Sequence, residues 1–216
     1  MVLFYVFFVR KILTPVLYKP LPKTYVEYNI TLGEIAQHKH MQTKEKWNIY
    51  DFIKFSAQNI DKQTGFLSSE DEGLVEYTHL GLGINPNMLG SSIGEEIQYS
   101  PKHKQSEKLY LRSQKRLKSL KFSANYFFRH ENEVASVILL NANNDKVDSL
   151  IIKSNSFNGK YNSRTYQFKN EQVYHIMFES LPYMNDPNNQ GKSNMSSDYL
   201  LHSVTLGIMD DEPNNQ

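Results

Sequence analysis

FSANYFFRHENEVASVILLNANNDKVDSLIIKSNSFNGKYNSRTYQFKNEQVYHIMF, residues 122–178, alternates short apolar runs with clusters of turn-forming residues. The runs are Tyr126–Phe128, Val134–Leu140, Val147–Ile152, Tyr166–Phe168 and Val173–Phe178. Between them lie His130–Glu133, Asn141–Lys146, Asn155–Lys160 and Lys169–Gln172. Runs rich in β-branched and aromatic residues, bounded by Asn, Gly, Asp and Ser, are strand signals joined by turn chemistry. Repeated at this spacing they predict a mainly β domain, an antiparallel β-sandwich.

The pattern extends outward from this stretch. Towards the carboxyl end, a polar loop from Asn185 to Asp198 leads into Tyr199–Met209, where Val204, Leu206 and Ile208 alternate as in a half-buried strand. Asp210–Gln216 is a polar tail. Towards the amino end, Leu109 and Leu111 alternate, Leu117 and Leu120 have a spacing that also fits a helix, and Ile97–Tyr99 predicts a short strand before Pro101. Gln63 to Gly94 is loop-rich. Lys44 to Ile60 has two readings. Trp47, Tyr50, Ile53, Ala57 and Ile60 share one helical face, whereas Asn48–Phe52 also fits a strand. Thr31-Leu-Gly-Glu34 fits a capping box opening a short polar helix to about Gln42. Pro15, Pro20 and Pro22 make the segment before it an extended connector. The expected organisation is an extended or helical amino-terminal extension over residues 1–45 and a sandwich over 46–216.

Of 216 residues, 39% are hydrophobic and 22% charged, the balance of a folded chain long enough to bury a core. The formal net charge of +1 implies no bulk attraction to an anionic partner. No cysteine is present, which removes disulfide scaffolds, thiolate metal sites and cysteine nucleophiles. The apolar run Val2–Val9 is too short to span a bilayer, and Arg10 and Lys11 follow it. A secretory signal has its basic residues first, so this acid-free start better suits a mitochondrial presequence or a retained anchor. The sequons at Asn29 and Asn194 carry little weight without a secretory route.

Gly90-Ser91-Ser92-Ile93-Gly94 matches G-x-S-x-G, but Pro86 interrupts the lead-in and Pro101 closes off the following helix. It reads as a glycine-rich turn, not a nucleophile elbow. His38 and His40 lack a third ligand at diagnostic spacing and read as solvated. His175 and His202 fall at outward-looking strand positions, with no nucleophile to pair with. Glu70-Asp71-Glu72 and Glu95-Glu96 read as solvated surface. No catalytic, cofactor or metal set is expected. Lys102, Lys104, Lys108, Arg112, Lys115, Arg116, Lys118 and Lys121 make the segment from 102 to 121 strongly basic, against a single Glu107. With only Tyr110 among them, it lacks the interleaved aromatics of a nucleic-acid stacking platform. These residues are candidate contacts to an acidic protein or an anionic lipid surface, with nucleic acid disfavoured.

Four segments, in order, resemble the complex I intermediate-associated protein family. Asn87-Met-Leu-Gly-Ser-Ser-Ile-Gly94 stands where that family has a glycine-rich turn. Phe122-Ser-Ala-Asn-Tyr126 and Val134-Ala-Ser-Val137 resemble its next strand and turn, and Val147–Lys153 with Arg164–Phe168 resembles the strand pair that follows. Ser203–Asp210 resembles its closing element. The chain departs from the pattern at Ser91, where the family has a glycine, and at Ser154–Asn162, which replaces an arginine-glycine-aspartate-glycine hairpin. The resemblance implies a galactose-binding-like jelly roll and a non-enzymatic accessory subunit or assembly factor of mitochondrial respiratory complex I. The implied location is the inner membrane, and the implied partners are other subunits and anionic lipid. The alternatives are a carbohydrate- or small-ligand-binding sandwich, with Tyr161, Tyr166 and Tyr183 as exposed aromatic candidates, and an RNA-contacting organellar ribosomal protein.

Overall fold

The computed structural model describes residues 25–32, 47–50, 52–61, 63–78, 80–85, 96–125, 133–153, 159–170, 172–182 and 197–209. They form β1 (Tyr25–Thr31), β2 (Trp47–Tyr50), β3 (Ile53–Gln58), β4 (Val75–Thr78) and β5 (Gly81–Ile84). The chain continues through β6 (Ile97–Ser100), β7 (Gln105–Ser106), β8 (Lys108–Ser113), β9 (Leu117–Asn125) and β10 (Val134–Leu140). It closes with β11 (Lys146–Lys153), β12 (Lys160–Asn162), β13 (Tyr166–Gln167), β14 (His175–Leu181) and β15 (Asp198–Met209). Every pairing between these strands is antiparallel.

The strands make two sheets. In one, β11, β10, β14, β8, β3 and β2 lie side by side in that order. In the other, β15 is the axis. β9 runs along one edge of it, while β5 and β1 share the opposite edge, at Leu201 and at Ser203–Met209. β6 joins the amino-terminal end of β15, and β12 and β13 pair successive parts of β9.

The period-2 alternation explains the layering. Ile53, Phe55 and Ala57 on β3, Leu109 and Leu111 on β8, and Ile176 and Phe178 on β14 point into the sandwich. They meet Leu120, Phe122 and Ala124 of β9 and Val204, Leu206 and Ile208 of β15. Phe122 and Phe178 come from opposite sheets and meet edge-on, ring centroids 5.6 Å apart. Such T-shaped pairs suit the quadrupoles of both rings.

The antiparallel sandwich expected from the sequence is therefore present, with Val134–Leu140 forming one strand without adjustment. Where the sequence left a helix open, the chain is extended. Residues 47–50 and 53–58 are a pair of strands, and Leu117–Asn125 is a single long strand. In both places pairing within a sheet overrides helical spacing. Residues 25–32 fall inside the stretch expected to be an extension, yet they belong to the sandwich. β1 pairs seven residues with β15, and Ile30 and Leu32 are in the core. Thr31, the expected helix cap, ends that strand opposite Ser203. The remainder of the expected helix to Gln42 lies outside the described residues, as do the rest of the extension, the Tyr126–Phe128 run, the 90–94 turn, His38 and His40. Among the described residues, no helix is long and apolar enough to cross a membrane.

Candidate functional site

The outward face of the six-stranded sheet follows from its register. Because Ile176 and Phe178 point inward, His175, Met177 and Glu179 point out; the same alternation turns Lys108, Tyr110 and Arg112 of β8 and Lys54, Ser56 and Gln58 of β3 outward. Strand pairing sets them in cross-strand rows. His175 stands opposite Arg112, and Arg112 opposite Lys54; Met177, Tyr110 and Ser56 form the next row; Glu179, Lys108 and Gln58 the one after. A cleft of 430 Å³ opens over the first row. Small-molecule sites run from about 300 to 1,000 Å³.

Three connections close the cleft. The first is the loop from Asn59 to Leu74, which folds back over β3. Asn59 holds both ends of it, donating from Nδ2 to the Asn85 carbonyl at 2.9 Å and accepting the Leu74 N–H at 3.0 Å. Gln58 Nε2 donates to the Ser68 carbonyl at 2.9 Å. Gly73 lets the loop lie flat on the strand, since a Cβ there would sit 1.7 Å from the Ala57 carbonyl oxygen. The loop thereby delivers Glu70 onto the sheet. Its Oε1 accepts from Arg112 Nε at 2.8 Å and from the Ser56 hydroxyl, and its Oε2 accepts from Arg112 Nη2.

The second is the turn between β10 and β11. Asn141 Oδ1 accepts the N–H groups of Asn143 and Asp145, each at 2.9 Å, and Asn144 takes the left-handed conformation at φ 69°, which asparagine tolerates. This places Asn144 Oδ1 on Arg112 Nη1. The third is the turn after β8. The Ser113 hydroxyl donates to the Lys115 carbonyl at 2.8 Å and accepts the Lys115 N–H at 3.0 Å, and the Gln114 N–H donates to the Phe52 carbonyl at 2.9 Å. Lys115 Nζ sits 4.9 Å from the centre of the Phe52 ring.

Arg112 is thus engaged on three sides, with its guanidinium also 4.3 Å above the Tyr110 ring. Burial pushes the Glu70 carboxyl up, but the hydrogen bonds from Arg112 and Ser56, with the charges of Arg112 and Lys54, outweigh it and hold the group below its usual value of 4.5. His175 goes down from 6.5, first because burial disfavours its charged form and then because Arg112 repels it. Its Nδ1 accepts the Ser113 N–H at 3.3 Å, so the neutral ring carries its proton on Nε2. Burial, reinforced by the charge of Glu70, pushes the Tyr110 phenol up to about 12, and its hydroxyl donates to Gln58 Oε1 at 2.6 Å.

Lys54 and Arg112 are matched in the cleft by Glu70 and Asp71, and His175 adds no charge near neutral pH. The wall offers donors at Lys54, Gln114, Asn144 and His175 and acceptors at the carboxylates, around a balanced charge. A hydroxyl both donates and accepts, so such a lining suits a neutral, hydroxyl-bearing ligand.

The basic residues do not converge on one surface. Lys108 and Arg112 face out on the six-stranded sheet, Arg112 and Lys115 beside the cleft, whereas Lys121 is exposed on the nine-stranded sheet. Lys102 and Lys104 are exposed on the turn between β6 and β7; Arg116 and Lys118 are half-buried where β8 crosses to β9. Arg112 is committed to Glu70 and Asn144, which corrects the solvated reading of Glu70. Sequence reasoning placed His175 outward but did not recognise the site. The available signal was the alternation that set Lys54, Arg112 and His175 outward, without the register that joins them. Tyr161 and Tyr166 are not displayed. Tyr161 packs 5.4 Å from Phe122, and the two phenol oxygens lie 3.2 Å apart. Tyr183 lies outside the described residues. Among the described residues, no group of three or more His, Asp or Glu side chains is placed to hold a metal ion.

No protein-family model matches the chain, and no curated protein matches it. A solved structure of a mutant of the lectin binding domain of Lectinolysin, complexed with Lewis b, is similar at 12% identity and a TM-score of 0.27. The match covers 48% of this chain and 64% of that one, and no ligand is carried across from it.

Proposed function

We propose that this chain is a non-enzymatic β-sandwich binding module whose cleft takes a neutral, polyhydroxylated ligand of the carbohydrate class. The observation that carries the reading is the balanced charge of a cleft ringed by interleaved donors and acceptors. Arg112, the residue best suited to a carboxylate or phosphate, is already held bidentately by Glu70, so an anionic ligand would have to break that pair. The test is a panel of neutral oligosaccharides set against their sulfated and uronic counterparts, read by calorimetry. Neutral sugars should bind, and Asn144→Ala and Lys54→Ala should each weaken binding by about tenfold, the value of one hydrogen bond. Preference for the charged counterparts would sink the reading.

A second reading, the accessory subunit or assembly factor of mitochondrial complex I, rests on the resemblance from Asn87 to Asp210. It is supported by the sandwich, which is the fold the resemblance implies, and by the exposed Lys102, Lys104 and Lys121, which suit acidic subunits or an anionic inner-membrane surface. Complexome profiling separates its versions. Migration with mature complex I makes the chain a subunit, appearance in lighter intermediates makes it an assembly factor, and absence from both removes the reading.

A further inference from the structure

We propose that the loop carrying Phe66 and the neighbouring β6–β7 turn dock the protein on an anionic lipid surface, with Phe66 entering the apolar boundary of the bilayer and Lys102 and Lys104 meeting the headgroup phosphates. The inference is independent of the cleft and its ligand.

Phe66 is 72% exposed, the most exposed large apolar side chain among the described residues. Single exposed apolar residues are ordinary on protein surfaces. Phe66 differs in how it is held. Beyond β3, Ile60 and Leu67 pair as an antiparallel bridge, and the chain between them closes on itself. The Asp61 N–H donates to the Phe66 carbonyl at 2.9 Å, and the Gly65 N–H to the Asp61 carbonyl at 2.8 Å. Asp61 Oδ1 accepts the N–H groups of Gln63 and Thr64, at 2.9 and 2.7 Å, and the Thr64 hydroxyl at 2.9 Å. The Phe66 N–H donates to Thr64 Oγ1 at 3.3 Å. The ring is therefore presented by backbone that is already ordered, and little further chain entropy is lost when it is buried.

The surface on which the loop rests supplies the charge. Gly65 takes the left-handed conformation at φ 77° and packs against His103, where a Cβ would sit 2.2 Å from His103 Nδ1. His103 belongs to the β6–β7 turn, and the exposed Lys102 and Lys104 flank it. Lys104 itself is left-handed, at φ 53°. The exposed ring is thus one residue away from a direct contact with a basic turn. Of the acidic groups in these segments, Asp61 has its Oδ1 turned into its own loop on three donors, and Glu107 is buried. An apolar ring next to cations is the composition by which peripheral proteins hold to anionic lipid. A stable protein interface needs about 800 Å² on each partner around an apolar centre, which one projecting ring between two polar turns does not supply. A bilayer has no fixed shape to match.

The experiment floats the full chain with phosphatidylcholine vesicles containing phosphatidylglycerol or cardiolipin, and with phosphatidylcholine alone. Binding is expected to the anionic vesicles only, and it should weaken as salt rises from about 0.01 to about 0.15 M, where the Debye length falls from about 30 to about 8 Å. Phe66→Ser should weaken binding about tenfold or more, the worth of burying a phenyl ring. Lys102→Ala with Lys104→Ala should weaken it about thirtyfold, at about fivefold for each lysine. All three side chains are exposed, so these variants should keep the wild-type urea midpoint. Phe66→Trp reads insertion directly. Against the background of Trp47, the one native tryptophan, its emission should shift to the blue on anionic vesicles and be quenched by brominated acyl chains. Absence of binding to anionic vesicles at low salt, binding unchanged in Phe66→Ser or in the double lysine variant, or an unshifted Phe66→Trp emission overturns the proposal. A photocrosslinker at position 66 that captures protein and not lipid in a membrane-containing extract also overturns it, and assigns the ring to a protein partner.

Discussion

Arg112 and Glu70, 42 positions apart, hold each other through one edge of the guanidinium, with Nε 2.8 Å from Oε1 and Nη2 on Oε2. One residue is on a central strand and the other on a loop that has no strand of its own over the sheet. The pair ties the loop to the face together with Gln58, whose side chain holds the Ser68 carbonyl. With Ser56 and Asn144 donating and accepting around it, the pair is also one wall of the cleft.

Removing either partner should cost more than a surface ion pair. The Arg112 side chain is 12% exposed and the Glu70 side chain 27%, so the pair lies between the surface and buried limits. Arg112→Ala and Glu70→Ala are each expected to destabilise the fold by about 2 kcal/mol in urea titrations at pH 7, and the double variant by clearly less than the sum. The sign with pH follows from the depressed Glu70. Its folded value lies below the unfolded 4.5, so the contribution is present above pH 4.5 and is lost as pH falls through the folded value. Additive losses at pH 7 would mean that the two residues act independently.

Gly73→Ala should affect the site without touching any cleft side chain. The added methyl would lie 1.7 Å from the Ala57 carbonyl oxygen and 2.4 Å from its carbon, both backbone, so the loop has to lift. Lifting it draws Glu70 off Arg112. The expected outcome is a loss of about 2 kcal/mol or more and a flattened Arg112–Glu70 coupling in the same double-variant cycle. Unchanged coupling would show that the loop finds another seat on β3.

The sheets were legible in the sequence and the site was not, for one physical reason. Alternation is local, so Val134–Leu140 and the Val204, Leu206, Ile208 pattern reveal strands and their inner faces directly. Register is not local. That His175, Arg112 and Lys54 share a row depends on pairing between residues far apart in the chain. Glu70 looked like one of a solvated acidic run because nothing in Ser69–Glu72 records the arginine it meets. The ambiguity at Lys44–Ile60 has the same origin, since apolar spacing there fits both periods and only the place beside β8 decides between them.

Glu179 offers a prediction of opposite sign to Glu70. Burial raises its carboxyl above 4.5, against the opposing pull of Lys108, Ser136 and Lys146. A raised folded value means that the group favours folding when protonated, and that this benefit is lost as pH rises through the folded value. Glu179→Gln should therefore raise the thermal midpoint relative to wild type at pH 7 and lose that advantage towards pH 4. A variant less stable than wild type at pH 7 would show that attraction to Lys108 exceeds the cost of burial.

Phe178 tests whether the two sheets are held by their core or by the polar face. It is fully buried on β14, edge-on to Phe122 of β9, and its chain neighbour on the outward face is Met177, with His175 and Glu179 further along the same strand. Phe178→Ala removes a ring that bridges the sheets and leaves a cavity, at an expected cost of about 3–5 kcal/mol. Small domains have about 5–15 kcal/mol in total, so the variant should sit near the edge of folding at 37 °C. Phe178→Leu keeps most of the volume and should cost less, about 1–2 kcal/mol. Neither substitution touches the cleft, because inward and outward residues alternate along β14. The fraction of Phe178→Leu that is folded should accordingly bind the cleft ligand as the wild type does, measured by calorimetry at 20 °C with the active fraction taken from the stoichiometry. A weakened affinity at full stoichiometry would show that the register of β14 moves when its core residue shrinks, and that the outer rows depend on the packing beneath them.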